Sequence, residues 1–229
     1  MPIAAPPPLA GTGILSVWND IAPQMEAFYE RWYMSEHFPE RLGVPGFLRG
    51  RRYVAIDADR KYFTFYDLAD PQVLFSAPYL ARMNAPTPWT QMVMTAWSGM
   101  FRTACERIAR TQSGNGGSSV GGFVMVARWE TPVDLPASLA GEIHEKLADP
   151  AVVAVDLWRA NAQQNASTVE ARTRPAPDRT IAGALVVEAT SAASVATAKA
   201  ALPRLLGVIT APAAVGLYQL IALQDGRAP

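Results

Sequence analysis

The chain has 229 residues, half of them hydrophobic and 17% charged, with 20 basic against 20 acidic side chains. This composition can bury a sizeable core and excludes a disordered polyelectrolyte, and the balanced charge offers no basic excess for nucleic acid. A single cysteine (Cys105) excludes an internal disulfide, and two histidines (His37, His144) leave little for a metal centre. No run of about 18 apolar residues suggests a membrane span.

Residues 1–13 hold three consecutive prolines and lack the basic and apolar regions of a signal peptide, so they read as an extended tail on a cytoplasmic protein. A first strand is expected over residues 14–19. A helix follows over 23–37, because Met25, Phe28, Tyr29, Trp32 and Tyr33 form one stripe at i, i+3, i+4, i+7 and i+8. Pro39 disfavours helical geometry at Phe38, so the helix is expected to end there. Strands at 47–57 and 61–67 flank a tight polar turn. Residues 71–99 read as helical with breaks at Pro78, Pro86 and Pro88, and 101–110 as a closing strand. The Gly/Ser-rich stretch 111–122 reads as a flexible linker. Beyond it, strands are expected at 123–130, 152–160, 181–190 and 215–223, and helices at 136–147 and 192–206. The polar stretch 161–179 is left as a loop.

Both halves therefore read as strand, helix, strand, strand, helix, strand, the split βαβ pattern. The fold class is α+β: two tandem ferredoxin-like repeats (14–110 and 123–229) whose antiparallel sheets face each other as a barrel around a cavity. A constant offset of 105 residues aligns Leu42 and Pro45 with Leu147 and Pro150. It sets Arg51 against Asp156 and Tyr53 against Trp158, as expected of a duplication. Strand alternation puts Asp156 and Trp158 in the barrel interior, and the offset carries Phe47, Arg49, Arg51 and Tyr53 to the same side, away from Arg52. Phe63 and Phe65 oppose Tyr62, Thr64 and Tyr66, with neither set assigned inward.

The run WYMSEHFPERLGVPGFLRGRRY, residues 32–53, resembles the dimeric α+β barrel superfamily, most of all its EthD-like branch. The features shared are the aromatic helix, the Glu-His-x-Pro-Glu turn at 36–40, Pro45-Gly46, and the strand bearing Arg and Tyr. That superfamily includes polyketide cyclases, muconolactone isomerases, quinone-forming monooxygenases and heme enzymes. The resemblance implies that His37 is an acid–base residue, the position a histidine near the cavity holds in several cofactor-free members.

On these grounds the expected function is a cofactor-independent lyase, dehydratase, isomerase or cyclase acting on a small, largely apolar, oxygenated molecule. The alternatives are a heme-dependent enzyme of the same superfamily and a silent small-molecule binder. His37 would move the proton, because an imidazole titrates near neutral pH. Arg51 or Tyr53 would hold the oxyanion, and Glu36 would orient His37 or act as base. Tyr79, Met83, Trp89 and Met92, in an irregular aromatic segment, would line the substrate site together with Asp156 and Trp158. His144, set among Glu142, Glu145 and Lys146, reads as a surface residue. No Gly-rich phosphate loop, metal-type Cys/His spacing or Gly-x-Ser-x-Gly elbow is present, so no cofactor is expected. The partner expected is a small-molecule substrate, with neither nucleic acid nor membrane, and association with further copies of the chain as a homo-oligomer is left open.

Overall fold

A computed structural model describes residues 11–113, 119–164 and 168–226. Most of the tail expected at 1–13 and the centre of the Gly/Ser stretch (114–118) lie outside the described residues. The strands are β1 (Gly13–Ile21), β2 (Phe47–Asp57), β3 (Tyr62–Leu68), β4 (Trp97–Gln112), β5 (Phe123–Trp129), β6 (Val152–Ala160), β7 (Gly183–Ala189) and β8 (Ala214–Asp225). The α-helices are α1 (Glu26–Trp32), α2 (Phe38–Leu42), α3 (Ala77–Asn84), α4 (Pro88–Met94), α5 (Ser138–Leu147), α6 (Val169–Thr173) and α7 (Ala192–Leu206). The closing strand of the first half thus exists and is longer than expected, and α6 lies within the stretch left as a loop.

The eight strands form one closed antiparallel barrel in the order β1-β3-β2-β8-β5-β7-β6-β4. The first four strands contribute the arc β4-β1-β3-β2 and the last four the arc β8-β5-β7-β6. The arcs meet at two seams, β2 on β8 and β4 on β6, so neither sheet keeps an open edge.

Alternation along β3 shows how both barrel faces are used. All seven of its residues are buried. Phe63 and Phe65 point inward with Trp18, Tyr53, Phe101, Trp158 and Tyr218, whereas Tyr62, Tyr66 and Leu68 face the helices. Two-sided burial explains why the strand carries aromatic residues on both faces rather than alternating apolar with solvated polar residues. The inward rings pack on one another: Trp18 stacks on Phe63 with centroids 4.7 Å apart, and Phe65 meets Trp158 at 5.0 Å. They fill the barrel axis, as side chains do in small barrels, which corrects the expectation of a ligand cavity there.

At one end of this interior, three arginines and three carboxylates alternate in a closed ring. Arg51 pairs with Asp67 (3.2 Å) and Glu188 (3.3 Å). Arg107 joins Asp67 to Asp156 (2.7 Å to the latter). Arg110 joins Asp156 back to Glu188 (3.3 Å to the latter). The ring is neutral and its members come from β2, β3, β4, β6 and β7, so it ties both arcs together across the β4–β6 seam. Arg51 and Asp156 both face inward, as expected, and sit in the same ring without pairing directly. Phe47 does not share their side: an irregularity between Phe47 and Arg49 turns its ring outward, onto Tyr66 and Tyr79.

Helices α1–α4 cover the outer face of the first arc, and α5 and α7 that of the second. The helix bearing the aromatic stripe does not end at Phe38. A π-helical turn at Tyr33–His37 follows α1, and α2 continues through Pro39. The widened turn, closed by the Phe38 N–H on the Tyr33 carbonyl, falls just before the residue that has no N–H to give. Pro78 and Pro88 likewise occupy first turns, of α3 and α4, where a proline costs no hydrogen bond. Gly50 lets Phe38 lie against the sheet: a Cβ there would come within 2.3 Å of that ring.

Candidate functional site

The first helical layer carries His37 to the outer face of β1 and β3. Its ring is 6% exposed and packs 4.4 Å from Trp32 and 5.1 Å from Tyr33, centroid to centroid. The π-helical turn sets this orientation, and such turns recur at functional sites because they break the regular angular spacing of side chains. His37 Nδ1 is buried without a hydrogen-bond partner among the described residues. Burial, reinforced by Arg41, Arg174, Arg52 and Arg102, holds the imidazole pKa well below its usual value, so the ring is neutral at pH 7.

His37 borders a small inner chamber of about 20 Å³ with Tyr33, Tyr66, Arg41, Met100 and Trp97. That is room for about one water-sized molecule. The Tyr33 and Tyr66 hydroxyls share a hydrogen bond of 3.3 Å, and Arg102 donates to the Tyr79 hydroxyl. Next to the chamber lies a cleft of about 660 Å³ walled by α3, β4 and the segment from Thr168 to Thr180. Met83, Arg102 and Arg174 line both spaces. Glu170 on α6 anchors the segment: it accepts from Arg41 and, at 3.3 Å, from Arg174, which also pairs with Asp178.

The structure brings His37, Tyr79 and Met83 together. It sets Arg51, Tyr53, Asp156 and Trp158 inside the barrel, on the opposite face of the sheet from His37. Glu36 turns away from the imidazole: one carboxylate oxygen accepts from Trp32 Nε1 (3.2 Å), Thr87 Oγ1 (2.5 Å) and Thr90 Oγ1 (2.9 Å), which ties α1 to α4. Trp89 packs on Phe28 at 5.6 Å, and Met92 is 55% exposed on α4. His144 is half-buried rather than at the surface, with both ring nitrogens engaged by Thr111 (2.8 Å) and Ser113 (3.1 Å).

Arg41, Tyr33, Tyr66, Arg102, Glu170 and Arg174 were not singled out from the sequence for this site. In the sequence, Tyr33 belongs only to the apolar stripe of the first helix. Glu170 and Arg174 carried a signal, an i,i+4 acid–base pair inside the polar stretch 161–179. Arg102 gave none, because its role depends on which strand lies next to β4.

No protein-family profile and no curated sequence matches the chain. Solved structures match its fold. An anthrone oxidase-like protein has a TM-score of 0.59 at 11% identity, over 94% of this chain and 93% of that one. A protein assigned as a monooxygenase from Fusobacterium nucleatum has a TM-score of 0.53 at 11% identity, over 94% and 95%. A heme-binding protein from Thermus thermophilus has a TM-score of 0.53 at 10% identity, over 93% and 92%. The chain thus has the dimeric α+β barrel fold shared with chlorite dismutase-like proteins. None of the three is described as EthD-like.

These comparisons correct the expected function. The similar structures are of oxidative and heme-binding proteins rather than a lyase, dehydratase, isomerase or cyclase. The site agrees with the correction in one respect: Arg51, the expected oxyanion partner of His37, lies across the sheet from it.

The residues present do not fit a heme. Sites for ligands of that size occupy about 300–1,000 Å³, whereas the chamber at His37 has about 20 Å³. A ligating histidine nearly always donates its second ring nitrogen to an orienting acceptor, and His37 Nδ1 has none. Among the described residues, the larger cleft is lined by no histidine, cysteine or tyrosine, and both nitrogens of His144 are taken.

Proposed function

We propose that the chain is an oxidising enzyme that uses dioxygen on a small phenolic or enolisable organic substrate. The substrate lies in the cleft, and the oxygen molecule in the chamber beside His37. One observation carries this reading: a chamber with room for about one small molecule, bordered by a neutral imidazole whose Nδ1 has no partner among the described residues, adjoins a cleft across a shared wall that includes Arg102 and Arg174. The guanidinium groups favour the ionised phenolate or enolate and the reduced oxygen formed from it. His37 accepts the substrate proton, directly or through one water, and returns it to the departing oxygen. For a substrate methylene the step balances as CH₂ plus O₂ giving C=O plus H₂O. The carbon is oxidised by four electrons, one oxygen atom stays, and the other leaves with both hydrogens. The similarity to an anthrone oxidase-like protein supports this class of reaction.

The test is oxygen uptake with anthrone and a panel of enolisable phenols. Turnover should fall about 10²–10⁴-fold in His37→Ala with the fold retained. The reading fails if no member of the panel drives uptake, or if His37→Ala keeps wild-type turnover. A stoichiometric Soret band on hemin titration that depends on His37 would replace it with heme chemistry.

We also infer that the two halves descend from a duplication, with 14–110 and 123–229 as the units. In support, the arcs β4-β1-β3-β2 and β8-β5-β7-β6 have the same internal order. The offset partners Arg51/Asp156 and Tyr53/Trp158 also occupy equivalent inward positions.

A further inference from the structure

The second half of the chain leaves part of its helical layer open. In the first half, α6 packs onto α3 and α4. Between α5 and the end of α7 there is instead a groove of about 660 Å³, which shares no lining residue with the cleft or the chamber. Its apolar lining includes Pro132, Val133, Leu139, Leu205 and Ile209. Gly207, at φ +58°, ends α7, and Val208 after it also lines the groove yet is fully exposed. The patch thus offers an apolar knob beside an apolar hollow. It also carries charges of both signs. Glu142 and Lys146 pair with each other on α5 at 3.5 Å. Asp134 and Arg204 are exposed on the same groove, and neither has a partner among the described residues.

We propose that this groove is where a second copy of the chain docks, as a two-fold pair. In such a pair one patch meets itself, so residue i of one copy touches j of the other and j touches i. The patch must therefore be complementary to itself, and this one is. Arg204 of each copy meets Asp134 of the other, and Val208 of each enters the other's apolar hollow. A partner carrying one sign of charge would satisfy Arg204 or Asp134, whereas a second copy satisfies both. The charges, at the rim, set register and the choice of partner, and the apolar contact supplies most of the affinity.

Sedimentation equilibrium of the whole chain between about 1 and 100 µM tests this. Wild type should approach the mass of two chains at the upper end. Val208→Glu sets a charge against each apolar hollow and should weaken pairing at least about tenfold, with an unaltered melting temperature at dilution. The rim charges give a second test that misfolding cannot imitate. Asp134→Arg makes both rim positions basic, and Arg204→Glu makes both acidic. Each variant alone should pair at least about tenfold more weakly than wild type. Mixed in equal amounts, the two should pair about as tightly as wild type, because every rim contact is then an arginine opposite a carboxylate. A wild-type chain that stays monomeric at about 100 µM would overturn the proposal. So would an assembly of any size that Val208→Glu leaves unchanged, single charge variants that pair like wild type, or a mixture that pairs no better than its components.

Discussion

Asp156→Asn is the sharpest perturbation of the buried ionic ring. The substitution keeps the shape and removes one of three negative charges. Asp156 serves two arginines, Arg107 at 2.7 Å and Arg110, and its side chain is 2% exposed. The remaining ring would hold three guanidinium groups against two carboxylates, a net buried positive charge that water cannot reach. Removing one partner of a buried ion pair costs about 3–5 kcal/mol. Against a total stability of about 5–15 kcal/mol this is a large fraction. At about 2–4 °C per kcal/mol for a chain of this size, the melting temperature should fall roughly 6–20 °C. Urea unfolding should show a lower midpoint at unchanged slope. Adding Arg110→Met restores neutrality, because Arg51 and Arg107 then face Asp67 and Glu188. The double variant should therefore lose at least about 1 kcal/mol less than the sum of the singles. A single-variant loss below about 1 kcal/mol, or strict additivity, would refute the ring as a coupled unit.

Two further predictions concern titration. The pKa of His37 in the folded chain lies well below its unfolded value of about 6.5, so the unfolded chain binds more protons between the two values. The contribution of His37 to stability is thus intact above about pH 6.5 and lost as pH falls towards the folded value, by up to about 1.4 kcal/mol per pH unit. Denaturation midpoints of wild type and His37→Phe measured across that window should show the variant with the shallower acid loss. The acid limb of kcat/KM should lie below about pH 6.5, and an inflection above that value would contradict a desolvated imidazole. Cys105 is fully buried, and burial pushes its thiol pKa up to about 12. A thiol-specific disulfide reagent at pH 8 should therefore leave it unmodified in the native chain and label it only after unfolding; rapid native labelling would contradict the burial.

What the sequence by itself determined was periodic and local. The stripe from Met25 to Tyr33 defined α1, alternation placed Asp156 and Trp158 inside the barrel and Arg52 outside it, and the element order of each half matched the arcs of the sheet. These features follow from 3.6-residue and two-residue spacing, which every short window carries. The tertiary structure alone decided the rest. A strand irregularity reversed Phe47, and a π-helical turn let the helix pass Pro39. The partners of Arg51 and Asp156 depended on how β2, β3, β4, β6 and β7 close around one axis. The candidate site draws on residues from Leu15 to Thr180, and its arginine wall depends on α6 folding against α3 and α4. Local spacing fixes which face a side chain takes, but which distant residue it meets there is set by strand closure and helix docking, and no short window encodes those.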